Sequence, residues 1–256
     1  MRGPMDCRVK PGNNNDEDGE KRMPTIKVMS AGAVQSMVAA IGQEFERATG
    51  NTLELVFNTA GSLRDRFKNG ENADLVILSE SIIGELAKRG LFVPDSVTDL
   101  GRTVTGVIVR EGAPVPDIST PEAFREALLK AKSVAYTDPK AGGSGGIMFA
   151  GLLERLGIAE EVNRKAVLGK RGAEVAQSVA EGRAEIVTTF ISEVLPVKGV
   201  KVVGPLPGAL HNANTYTAAI PAGSASRDGA MVLLRALTDP ATRPRWRAAG
   251  LEPAFP

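Results

Sequence analysis

The sequence predicts an α/β fold of two lobes, each a mostly parallel sheet with helices on both faces, joined by two crossover segments. Three observations lead there. From Thr25 to Gly90, short apolar runs rich in branched residues alternate with stretches of helical period. A second series of the same kind runs from Ser133 to Phe190. Long extended segments near 103–110 and 203–220 carry no helix of their own and read as passages from one lobe to the other. Strand–helix–strand alternation favours parallel pairing, because the chain must cross over to begin the next strand. The expected division is a leader at 1–23, lobe I at 24–104 plus 213–256, and lobe II at 105–212. One doubly wound sheet is the alternative arrangement.

The elements follow in order. "TIKVMS" is a buried strand, and "AVQSMVAAIGQEFERATG" places Val34, Met37, Val38, Ile41 and Phe45 on one helical face before stopping at Gly50. "TLELVFN" is a strand, "GSLRDRFKNG" a helix ending at Gly70, "ADLVILS" a strand with the branched run of a parallel sheet, and "ESIIGELAKRG" a helix ending at Gly90. "RTVTGVIVREGAP" is the first long extended run. "STPEAFREALLKA" is a helix capped by Ser119 or Thr120 with Pro121 in its first turn. In the second series "SVAYTDP", "KAVLG" and "AEIVTTF" are strands, while "GGSGGIMFAGLLERLG" and "GAEVAQSVAEG" supply helices. "NTYTAAIPAGS" is extended, and the C-terminal stretch reads as two helices broken at Pro240. Trp246 is expected to pack the last of them on lobe I.

Composition removes several function classes. A net charge of +1 gives no general attraction to nucleic acid or anionic membrane, and no apolar run approaches the ~20 residues that span a bilayer. The single cysteine, Cys7, excludes an intramolecular disulfide. With one histidine, His211, expected in a solvated loop, there is no Cys/His nucleophile pair and no metal-ligand spacing. No cofactor and no metal are therefore expected. Residues 1–23 lack the apolar block of ~7–15 residues that a secretory signal needs, and so little apolar surface predicts disorder. Within them "MDCRVKPGN" is similar to peptides read from a bacterial genomic repeat, which would put the natural start at Met23. As given, the chain is expected to be cytoplasmic.

Chemistry is expected where strands of a parallel sheet hand over to helices. Four junctions stand out for small, uncharged, hydrogen-bonding residues: Ser30, Ala31, Gly32 and Ala33; Thr59, Ala60, Gly61 and Ser62; Ser144, Gly145 and Gly146; and Thr188 with Thr189. The first turn of a helix leaves N–H groups unpaired and carries partial positive charge, so small residues there admit an anion. The same residue types also serve as ordinary caps and turns. "GGSGG" is no nucleotide loop, since it lacks the Lys-Ser/Thr of a phosphate loop and Met148 breaks the dinucleotide spacing. It is expected to be a loop over the ligand. Asp138 and Glu193 border these junctions and are expected to cap or pair rather than to act as acid or base. Arg64 is expected at the surface.

The segments "IKVMSAGAVQSMVAAIGQEFERATG", "VFNTAGSLRDRFKNGENADLVILS", "SVAYTDPKAGGSGGIMFAGLLERLGI" and "VAEGRAEIVTTFISEVLPVKGVKVVGPLP" resemble the molybdate-binding group of periplasmic solute-binding proteins. The resemblance implies a type 2 periplasmic-binding-protein fold with an oxyanion or small carboxylate trapped between lobes by hinge closure. It also implies a monomer that serves the membrane component of an ABC transporter, in the periplasm if the start lies elsewhere. The family holds its oxyanion with serine hydroxyls where this chain has Ala33 and Ala60, and with a tyrosine near Thr188. A small organic anion is accordingly expected at least as much as molybdate. The expected activity is binding without turnover; an isomerase or lyase of a small carboxylate, or a ligand sensor, are the alternatives.

Overall fold

A computed structural model describes residues 25–255. The leader, with Cys7 and Met23, lies outside the described residues.

The chain runs β1 (Thr25–Ala31), α1 (Gln35–Thr49), β2 (Thr52–Asn58), α2 (Ala60–Lys68), β3 (Leu75–Ser79), α3 (Glu80–Ala87) and the long β4 (Thr98–Arg110). It continues through α4 (Pro121–Lys130), β5 (Val134–Thr137), α5 (Ser144–Arg155), α6 (Ala159–Asn163), β6 (Ala166–Gly169), α7 (Gly172–Ala180), β7 (Ile186–Phe190) and α8 (Ile191–Val194). β8 (Val200–Pro205), β9 (Ala213–Ala219), α9 (Arg227–Leu237), α10 (Arg243–Ala248) and β10 (Glu252–Pro253) complete it.

Local signals act as their chemistry dictates. The apolar stripe Met37, Val38, Ile41 and Phe45 of α1 is buried, and the helix stops at Gly50, whose φ of 73° only glycine adopts cheaply. Of the two cap candidates for α4, Thr120 does the work: its Oγ1 accepts the Ala123 N–H at 3.1 Å, with Pro121 at the first helical position. Three short elements, α6, α8 and β10, have no reading of their own in the sequence, and β8 begins the extended segment read near 203–220.

The strands follow the order β2-β1-β3-β9-β4-β7-β5-β6, with β8 and β10 also on β4. β1, β2 and β3 are parallel, and β9 enters between β3 and β4 antiparallel to both. β7, β5 and β6 are parallel to one another, with β4 antiparallel to β7. β4 is the thread between the halves. Its residues up to Val104 pair with β9, and from Thr105 onward they pair with β7. The result is a curled mixed sheet in two lobes, with β9 and the short β10 reversed in the first and β4 reversed in the second.

Side-chain alternation in the second lobe explains its two covered faces. Val107, Val109, Val134, Tyr136 and Ile186 face a core with Phe124 and Phe149, whereas Ile108, Ala135 and Val187 face one with Val175 and Val179. In the first lobe one core gathers β1, β3, α1 and α9. Trp246 lies in that core with no exposed surface, its Nε1–H donating to the Leu237 carbonyl at 3.2 Å. Among the described residues no helix is long and apolar enough to cross a membrane.

Candidate functional site

Between the lobes a cavity of about 20 Å³ is lined from the first lobe by Ala31, Gly32, Ala33, Asn58, Thr59, Ala60 and Tyr216. The second lobe supplies Thr137, Gly143, Ser144, Gly145, Lys170, Arg171, Gly172, Phe190 and Glu193. These are the carboxyl ends of β1, β2, β5, β6 and β7 and the helix starts beyond them, as parallel sheets require of a ligand site. A larger groove of about 840 Å³ sits at the other end of β5 and β7, lined by Arg110, Pro114, Lys130, Ala131, Glu185 and Ile186. It lies at the amino ends of β5 and β7, away from the carboxyl ends where parallel strands hold ligands, so the small cavity is the candidate site.

Four helix starts converge on the cavity, two from each lobe. The turn Gly32–Val34 leading into α1 and the start of α5 carry no side-chain cap, which leaves their first N–H groups to whatever occupies the cavity. α2 is capped by Thr59, whose Oγ1 accepts the Ser62 N–H at 3.2 Å. At α7 the Gly172 N–H donates to Glu193 Oε1 at 3.3 Å.

The lobes also touch directly. Gly61 N–H donates to the Gly142 carbonyl at 2.9 Å, and Thr59 Oγ1 donates to the Ala141 carbonyl at 2.6 Å. The two glycine backbones pass so close that a Cβ on Gly61 would stand 2.8 Å from the Gly142 oxygen. Part of the α2 start is therefore occupied by the opposite lobe.

Glu193, at the head of α8, is the one carboxylate in the cavity lining. Burial pushes its carboxyl up to about 7, against the opposing pull of the Gly172 N–H and the Arg171 charge. Glycines make its room: a Cβ on Gly172 would lie 2.3 Å from Oε2, and one on Gly32, across the cleft, 3.2 Å from Oε1. Opposite stands Tyr216 of β9, 2% exposed, its ring edge-on to Phe190 with centroids 6.3 Å apart. Burial first, and then the Glu193 charge, hold its phenol well above the usual range, so it stays a neutral donor. Beside it the Asn214 amide nitrogen is buried without a partner.

Seven residues named from sequence line the cavity: Ala31, Gly32, Ala33, Thr59, Ala60, Ser144 and Gly145. The others stand behind it. Ser30 is fully buried, its Oγ donating to the Ala31 carbonyl at 3.3 Å. Gly61 and Ser62 are engaged as described, and Gly146 packs against β5, where a Cβ would meet the Thr137 carbonyl oxygen at 2.1 Å. Thr188 and Thr189 are 1% exposed, with hydroxyls that lack partners. Arg64 pairs with Asp65 at 2.8 Å on the surface, and Asp138 caps the turn at Lys140. His211 is exposed.

Sequence reading missed Tyr216, Lys170, Arg171 and Phe190, and assigned Glu193 to capping or pairing. The capping is real, at Gly172. Tyr216 had one available signal: it is an aromatic with a polar tip in an otherwise small-residue crossing strand.

A family model described as bacterial extracellular solute-binding protein matches residues 26–252. The chain belongs to this solute-binding family. Among its relatives is an aconitate isomerase from Pseudomonas sp., 30% identical over 234 residues, which covers 90% of this chain and 88% of that protein. A putative ABC transporter substrate-binding lipoprotein of Bacillus subtilis (strain 168) is 23% identical over 208 residues, 80% of this chain and 76% of that one. The periplasmic molybdate-binding protein of Azotobacter vinelandii superposes with a TM-score of 0.69 at 17% identity, covering 88% of this solute-binding chain and 98% of that structure. At that identity the likeness establishes the shared two-lobed fold.

Proposed function

We propose that this solute-binding protein encloses one small carboxylate anion between lobe I (24–104 plus 213–256) and lobe II (105–212). The observation that carries the reading is the convergence of helix starts from both lobes on one cavity walled by Ala31, Gly32, Ala33, Ala60, Ser144 and Gly145. Walls of this kind bring an anion's oxygens against backbone N–H groups, and each charge-assisted bond contributes about 1.5–3 kcal/mol. Ala33 and Ala60 offer no hydroxyls, so the backbone, Ser144 and Tyr216 would hold the ligand, which suits a planar carboxylate better than a tetrahedral oxyanion. The protein would act as a monomer and hand its ligand to the membrane component of an ABC transporter, in keeping with the Bacillus relative. A thermal-shift screen of small carboxylates, sulfate and molybdate tests the reading. A ligand at 100 times its dissociation constant stabilises by about 2.7 kcal/mol. A shift from di- or tricarboxylates is expected, and none from any anion would overturn it.

A second reading, isomerisation of a small unsaturated polycarboxylate, is favoured by Glu193 and by the aconitate isomerase relative. Moving a double bond takes a proton from one carbon and returns one to another, which calls for a group that gives and accepts protons near neutrality. Glu193, held at about 7, is such a group inside the cavity. Incubation with cis-aconitate in D2O, followed by proton NMR, separates the readings. Isomer formation with deuterium incorporation, lost in Glu193→Gln, means turnover; an unchanged spectrum with tight binding means a binding protein.

A further inference from the structure

We propose that Glu193 makes anion binding in the cleft proton-linked: the site takes an organic acid that donates a hydrogen bond to this carboxylate, or an ionised acid together with one proton. This rests on the reading that the cleft holds a small anion, and it names how the anion's charge is accommodated.

The cavity has two chemically different sides. One consists of donors: the helix-start N–H groups at Gly32 and Ser144, and the Tyr216 phenol, whose neighbour Asn214 also has an unused amide donor. The other side holds the Glu193 carboxylate, an acceptor when ionised, together with Lys170 and Arg171 from the turn into α7. The groups that face it are Gly172 and Arg171 at α7, Thr189 on β7, Tyr216 on β9, and the Gly32 backbone from the first lobe. The Gly172 N–H donates to it at 3.3 Å, the nearby Thr189 hydroxyl also favours its ionised form, and among the described ion pairs none involves Glu193. Arg171 acts on it through charge rather than contact.

Enclosed with an ionised Glu193, an anion that presents only acceptor oxygens would meet repulsion across a cleft with little water to screen it. An organic acid with a hydroxyl or one protonated carboxyl instead donates to Glu193 while its carboxylate sits among the helix starts. A fully ionised anion binds with one proton drawn from solution onto Glu193, which then donates to it. Binding then consumes that proton, and affinity falls as pH rises above neutrality.

Isothermal titration calorimetry of the full chain tests this, with trans-aconitate, citrate and sulfate each titrated in two buffers of different ionisation enthalpy. From about pH 7 to 8.5, where the free acids are essentially ionised, uptake approaching one proton is expected for the polycarboxylates. Affinity should fall towards tenfold per pH unit. Glu193→Gln should remove the pH slope. The inference is overturned if wild type takes up no proton, a result that does not depend on the variant folding. An unchanged slope in Glu193→Gln overturns it as well, while the anion cleft stands. If none of the anions binds, the cleft reading falls and takes the inference with it.

Discussion

Glu193 shows most clearly what one residue owes to distant ones. In the sequence it follows a strand in "TTFISEVLP" and looks like a helix-start acid, which it is. Its environment comes from Gly172, twenty-one residues back, and from Gly32 in the other lobe, and no local pattern records that meeting. The same holds for Ser30, which looks like a donor at a strand end but turns its hydroxyl back onto the Ala31 carbonyl. The raised carboxyl has a consequence for stability. The folded protein keeps a proton up to about pH 7, whereas the unfolded chain releases it near the ordinary value of 4.5. Stability from this group is therefore full at low pH, declines as pH rises, and is lost above 7, a change of about 3 kcal/mol. Glu193→Gln removes the ionisation. Its melting temperature is expected to exceed the wild type's by several degrees at pH 8, with the advantage shrinking towards pH 5, as differential scanning calorimetry would read. An advantage independent of pH would contradict the assignment.

Among the elements, the long periodic ones were legible and the short ones were not. The stripe of α1 and the branched run of β3 span enough residues to declare their period, whereas α6, α8 and β10 hold five residues or fewer and are fixed by tertiary contacts. Strand-to-helix junctions were legible as places but not as roles. Gly61 and Gly146 have the small size expected of a ligand-facing wall, yet one meets the opposite lobe and the other its own strand. Two substitutions separate these roles. Gly146→Ala forces a methyl into the Thr137 carbonyl and should destabilise the fold by about 1–3 kcal/mol in urea titration. Gly61→Ala strikes the Gly142 oxygen across the lobes, so it should weaken ligand affinity about tenfold or more with little loss of fold stability. A Gly61→Ala protein with unchanged affinity would show that the glycine contact plays no part in closure.

For the whole molecule, alternation of strands and helices was enough to give two α/β halves, because that pattern is written locally along the chain. The sheet order was not. β9 inserts between β3 and β4 from more than one hundred residues away, a pairing no neighbouring residue announces. β4 carries the sheet from one lobe to the other with a change of partner at Thr105, and Phe190 of β7 packs into the first-lobe core beside the cleft. The central claim is that the cleft closes on a small carboxylate. Calorimetric titration of the full chain with trans-aconitate at pH 6.5 tests it most directly. A saturable one-to-one isotherm with micromolar or tighter affinity is expected. The absence of saturable heat from trans-aconitate, and from citrate and malate titrated in the same way, would contradict it.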